Sequence, residues 1–168
     1  EAIEQSEKEA KLKQLQLQVN ELEWRSKKLN LEFHGIPKTE GEDLIRKVNK
    51  IAEKLEIPEL PQSDVTAIHG LPSKPDKIPV IIIKFATQTT RDAWLDRRAR
   101  LRNAGINAYV SENMTTYNRK LLAKRKEWAK RKGFLYVWHR NGKLLVRRKD
   151  GERPCIVKNE DDLLALDS

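Results

Sequence analysis

Cysteine occurs once in this chain of 168 residues, at Cys155. No intrachain disulfide can form, and a single thiolate cannot build a multi-cysteine zinc site. The three histidines, His34, His69 and His139, stand far apart without metal-ligand spacing, and His69 and His139 read as partly buried strand residues. The consecutive carboxylates Glu160-Asp161-Asp162 stand at a predicted helix start, where they complement the helix dipole. Phosphoryl-transfer metal sites need several acids together. No catalytic residue, metal, cofactor or small-molecule substrate is therefore expected, and the chain does not read as an enzyme. Long apolar runs and a signal peptide are also missing, as is a basic helix with a continuous large-apolar face, so no membrane partner is expected. An intracellular, reducing location, cytoplasmic or nuclear, is the corresponding expectation. Asn113-Met114-Thr115 fits a glycosylation sequon, which that location makes incidental.

Positive charge is what the chain has in excess. The net charge of +9 is uneven: residues 1–33 sum to −1, residues 34–110 to +3 and residues 111–168 to +7. Between Arg119 and Lys149 thirteen Lys/Arg residues face one acid, Glu127. Trp128, Phe134, Tyr136 and Trp138 are set among them. Cations in such density attract phosphate, and exposed rings among them can stack on bases. Nucleic acid is the partner this pattern predicts.

Three segments follow one another: 1–29, 30–110 and 111–168. In the first, Leu12, Leu15, Val19, Leu22 and Leu29 form an a/d heptad seam with Ser26 in the missing slot. A stripe this narrow predicts self-association through a coiled coil. About three heptads are marginal alone, so the coil is expected to extend upstream. Val19 at a with Leu at d favours two strands.

The second segment reads β-α-β-β-α-β: strands at 30–36, 64–71, 79–85 and 108–110, helices at 41–56 and 87–103. That is the ferredoxin-like plan of RNA-recognition motifs. Such a sheet usually shows rings on its two central strands. Here the outward positions are Asn30, Glu32 and His34, then Val80, Ile82 and Lys84, so the open sheet is not expected to bind.

The third segment is a small α+β unit. Thr115 caps a predicted helix ending at Gly133. Asn141-Gly142 predicts a two-residue type I′ hairpin. With Arg140 opposite Lys143, Trp138 opposes Leu145 and Tyr136 opposes Arg147. One face then carries Phe134, Tyr136, Trp138, Arg140, Lys143, Leu145 and Arg147. The other carries Leu135, Val137, His139, Leu144, Val146 and Arg148, and is expected to pack on the helix. Whether the three rings are core or ligand-facing stays open. A turn at Asp150-Gly151, a strand at 154–158 and a helix capped by Asn159 complete the unit.

Several stretches then stand out together: Leu31-Glu32-Phe33-His34-Gly35-Ile36-Pro37, Pro79–Phe85 with Arg91-Asp92-Ala93-Trp94-Leu95, Ser111–Thr115 and, most specific, Gly133–Arg147. In this order the chain resembles the family joining the baculovirus few-polyhedra protein to the first-reading-frame proteins of LINE-type retrotransposons. The resemblance implies a homo-oligomeric single-strand RNA-binding chaperone that coats element RNA into a ribonucleoprotein. It further implies trimers, and RNA in a basic cleft between the two folded domains. By matching positions, Lys84 and Arg91 would contribute from the middle domain, and Arg119, Lys124, Arg140, Lys143 and Arg147 from the last. Thr116 replaces a common Pro, and Gly70 stands where a basic residue is usual.

The resulting reading is a non-enzymatic coat with little sequence preference, for single-stranded RNA or single-stranded DNA. Added to the carried-over residues are Arg97, Arg98, Lys120, Arg125, Arg131, Lys132 and Arg148, with Tyr136, Trp138 and Trp128 as candidate stacking rings. The alternative is a viral or cellular scaffold that oligomerises by its coil and binds acidic proteins.

Overall fold

A computed structural model describes residues 1–41, 43–134 and 136–166, and shows an α+β chain. It divides into two compact units, Lys28–Asn113 and a second joining Glu1–Lys27 to Met114 onward.

The middle unit contains β1 (Asn30–His34), α2 (Leu44–Leu55), β2 (Val65–Gly70), β3 (Ile81–Phe85), α3 (Gln88–Asp96), α4 (Ala99–Asn103) and β4 (Tyr109–Glu112). The helix α1 (Ala2–Lys27) belongs to the other unit. The strands form one antiparallel sheet in the order β2-β3-β1-β4, the order the β-α-β-β-α-β plan requires. Strict alternation in β1 sends Leu31 and Phe33 inward. They meet Ile81, Ile83 and Phe85 of β3, Val48, Ala52 and Leu55 of α2, and Trp94 of α3 in one core. Trp94 stands edge-on to Phe33 at 5.8 Å between ring centroids. Asp43 caps α2, and Thr87 caps α3 by accepting from the Thr90 amide.

The helix predicted over 87–103 is interrupted at Arg97 and Arg98. No Gly or Pro marks the break, so its cause is tertiary. Glu56 ends α2 in a left-handed conformation, its carbonyl accepts from Arg97, and its carboxylate pairs with Arg100. His69 is a second departure. It is exposed rather than partly buried, because β2 is an edge strand and His69 sits opposite Ile82, outside the core cluster.

Arg91 is fully buried. Its guanidinium donates to the Glu112 carboxylate at 2.9 Å and to Asp92 at 3.0 Å. A buried carboxylate stripped of such a partner is costly. Arg91→Ala is expected to lower stability by about 3–5 kcal/mol, seen as an earlier urea unfolding transition. A midpoint equal to the parent's would show that Glu112 does not depend on Arg91.

The second unit adds α5 (Thr116–Lys132), β5 (Tyr136–Arg140), β6 (Lys143–Arg147), β7 (Cys155–Val157) and α6 (Glu160–Leu166). Thr115 caps α5 through its hydroxyl, 3.0 Å from the Asn118 amide, and Gly133 ends it at φ 78°. Asn159 caps α6, accepting from the Asp162 amide at 3.0 Å. The strands form the sheet β5-β6-β7. Trp128, Ala129, Val146 and Val157 make the core, with Phe134, Val137 and Leu166 packed on it.

Candidate nucleic-acid interface

The hairpin fixes the geometry of this face. Asn141 at φ 49° and Gly142 at φ 79° occupy the left-handed positions a type I′ turn requires. That turn sets the pairs Tyr136–Arg147, Trp138–Leu145 and Arg140–Lys143, the register expected from the Asn-Gly step. His139, Leu144 and Val146 are consequently buried. Leu135, assigned to that face by sequence, lies outside the described residues. On the opposite face Tyr136, Trp138, Arg140 and Arg147 are half-buried and Lys143 is exposed.

The Arg147 guanidinium lies over the Tyr136 ring at 4.4 Å and 5.8 Å from the Trp138 centroid. Cation–π contact holds the charge flat on an aromatic floor. The Tyr136 hydroxyl donates to Asp150 at 2.7 Å, and this hydrogen bond, followed by desolvation and then the Asp150 charge, raises the phenol's pKa above its ordinary value. β7 extends the face: Ile156 stands opposite Leu145 and is 47 % exposed. Trp138, Leu145 and Ile156 thus form an apolar row across three strands, between cationic rows. Sequence reading missed Ile156, because a three-residue strand offers too short an alternation to assign a face.

Phe134 and Trp128 belong to the interior. Phe134 precedes β5 and packs on Trp128 at 4.6 Å between centroids, and Trp128 is 4 % exposed. Trp128 is therefore not a stacking ring. Arg148 lies over the Phe134 ring at 5.0 Å and is exposed to solvent.

The cations of α5 divide into two sets. Arg119, Lys120, Lys124, Lys126, Lys130, Arg131 and Lys132 are exposed. Arg125 is fully buried, and its guanidinium reaches the Asn159 carbonyl at 3.4 Å. Arg125 and Arg91 cannot present charge to a ligand from these positions. Spacing carried the signal: Arg125 lies four residues after Leu121 and three before Trp128, and Arg91 three before Trp94, each on its helix's inward stripe. Lys126 and Lys130 are exposed cations that were not singled out from sequence. In the middle unit, Lys84, Arg97 and Arg98 are exposed, with Arg97 also serving the Glu56 carbonyl.

Helix α1 carries two stripes. Leu12, Leu15, Val19 and Leu22 are exposed, between 48 % and 65 %. Leu29 lies beyond the helix end at Lys27, so it does not extend that seam. A second stripe, Leu17, Asn20, Trp24 and Lys27, is half-buried. Asn20 donates to the buried Asn118 at 3.1 Å, and Asn118 donates to the Gly142 carbonyl at 3.0 Å. Trp24 sits edge-on to His139 at 5.6 Å. A Cβ on Gly142 would fall 2.7 Å from the Trp24 indole nitrogen. The hairpin turn is therefore seated against α1.

This unit is a capped helix followed by a three-stranded antiparallel sheet with one aromatic-cationic face. Residues 115–167 match the family model for Baculovirus FP protein domain 2, so over about a third of the chain the few-polyhedra resemblance is found. No curated protein matches the chain. Among the described residues, no group of three or more His, Cys, Asp or Glu could hold a metal ion, and no helix is long and apolar enough to cross a membrane.

Gly142→Ala meets both the left-handed backbone and the Trp24 ring. It is expected to cost about 1–3 kcal/mol and to change the near-ultraviolet tryptophan dichroism. An unaltered spectrum with an unaltered melting temperature would separate Trp24 from the turn.

Proposed function

We propose that the chain is a non-enzymatic, largely sequence-independent binder of single-stranded nucleic acid, RNA above all, acting as an oligomeric coat and chaperone in a retrotransposon-type ribonucleoprotein. The observation that carries this reading is the hairpin face, where Arg147 lies on Tyr136 beside Trp138, flanked by Arg140 and Lys143. Guanidinium and ammonium groups there take phosphate, and the ring edges and the partly exposed apolar row offer a surface for bases. The exposed cations of α5 add contacts without reading sequence. The match of residues 115–167 to an FP protein domain is compatible with this and does not by itself name a ligand.

Self-association enters through the apolar stripe Leu12, Leu15, Val19 and Leu22, which the single chain leaves exposed. Linked sites rebind one strand and raise avidity without new contacts.

Two measurements test the reading. With about six phosphate contacts the log–log salt slope for a single strand is near −4, at about 0.7 per contact. Arg140→Ala with Arg147→Ala should weaken binding and flatten that slope by about 1.4. Unchanged affinity in a folded double variant would take the hairpin out of the site. Separately, Val19→Asp with Leu22→Asp should shift the particle mass in light scattering to that of a monomer. A mass that does not change would remove the seam from self-association.

A further inference from the structure

The middle unit carries one large ring that its own core does not use. Tyr109, at the start of edge strand β4, is 56 % exposed. Its ring lies parallel to that of His34 on β1, with 4.4 Å between centroids and 3° between planes. His34 and Tyr109 are cross-strand partners, so the strand register itself brings the rings together.

The imidazole beneath is held in place. Its Nε2 lies 3.0 Å from the Glu32 carboxylate and 3.2 Å from the Ser111 hydroxyl. A carboxylate can only accept, so Nε2 carries the proton and donates to Glu32. Glu32 accepts in turn from Asn113 at 2.7 Å, and Asn113 accepts from Asn30 at 3.0 Å. The row of polar side chains on this face thus ends in a fixed imidazole with a tyrosine ring laid flat on it. One face of Tyr109 is taken by His34. The other faces outward, as its exposure requires.

We propose that Tyr109, backed by His34, is a stacking seat for one unpaired nucleobase, at a position where the rings of an ordinary RNA-recognition sheet do not lie. A planar ring already fixed in place loses little entropy on capture of a second planar group, and every base has a π face, so the seat is tolerant of sequence. This inference rests on the reading of the chain as a single-strand binder. It departs from the expectation that the open sheet has no part in binding. That expectation weighed only the strands at 30–36 and 79–85, while the ring stands on β4.

The test uses the full chain and two fluorescein-labelled strands of about thirty units: oligouridylate, and an abasic ribose-phosphate strand of equal charge. Tyr109→Ala should weaken oligouridylate binding about tenfold, within the range of a single base stack, and leave abasic-strand binding and the salt slope unchanged. Tyr109→Leu, which keeps apolar bulk without a π face, should lose as much, and Tyr109→Phe should bind like the parent. If both the Ala and Leu variants bind oligouridylate like the parent, the seat is overturned while the single-strand reading stands. Equal losses on both strands overturn it too, because charge or folding is then responsible. Failure of the parent to bind either strand overturns both readings together.

Discussion

The Asn141-Gly142 turn is the constraint on which the C-terminal unit depends. A strand's side chains alternate, so a shift of one residue would exchange its two faces. Such a shift would put Trp138, Arg140 and Arg147 against α5 and turn Leu144 and Val146 to solvent. Two left-handed residues forbid it locally, and burial of Val146 beside Trp128 forbids it globally. The seating of Trp24 and Asn118 on the same turn adds a third restraint. Local turn chemistry, core packing and the helix α1 thus agree on one register, which is the consistency that specifies a unique fold.

Charge alone does not identify a binding group. Arg91, Arg125 and the exposed lysines of α5 look alike in a composition, yet two of them are interior. At Arg91 the planar fork serves two carboxylates while its stem packs among apolar neighbours. Removing such a side chain would damage binding in any assay by damaging the fold. A loss of affinity at Arg91 or Arg125 therefore carries no information about ligand contact, whereas a loss at Arg147 or Lys143 does.

Much of the fold is legible in the sequence because its signals are local. Thr115 and Gly133 mark the ends of α5, alternation marks β1, and the Asn-Gly step gives the hairpin with its pairing. The two-face division of the hairpin follows from that pairing, and the sequence thereby separated the buried His139, Leu144 and Val146 from Arg140 and Lys143. The rest depended on tertiary partners. The break between α3 and α4 answers to Glu56, forty-one residues before Arg97. The second stripe of α1 contains one aliphatic residue, Leu17, and works through Asn20 and Trp24, so hydrophobic periodicity did not show it. Tyr109 lies at a strand edge outside the positions that the RNA-recognition plan directs attention to.

The surface of α5 bears on why so many cations are kept there. Lys130, Arg131 and Lys132 occupy its last turn, where the helix dipole favours positive charge by about 0.3–1 kcal/mol each. Glu127 adds favourable spacings to Lys130 and Arg131. Folding stability alone can therefore account for that end. The dipole does not account for the beginning. The first turn has no acid, although an acid is favoured there, and Arg119 and Lys120 follow directly. Lys120 and Lys124 are a like-charged pair four residues apart, costing about 0.2–0.5 kcal/mol. These residues are exposed and flank an inward stripe of Leu121, Trp128 and Ala129. A bound polyanion would offset such a cost, since each phosphate engaged would replace a repulsion with an attraction and release a counterion. The last turn of α5 thus suits its own dipole, whereas the cations at its beginning run against it.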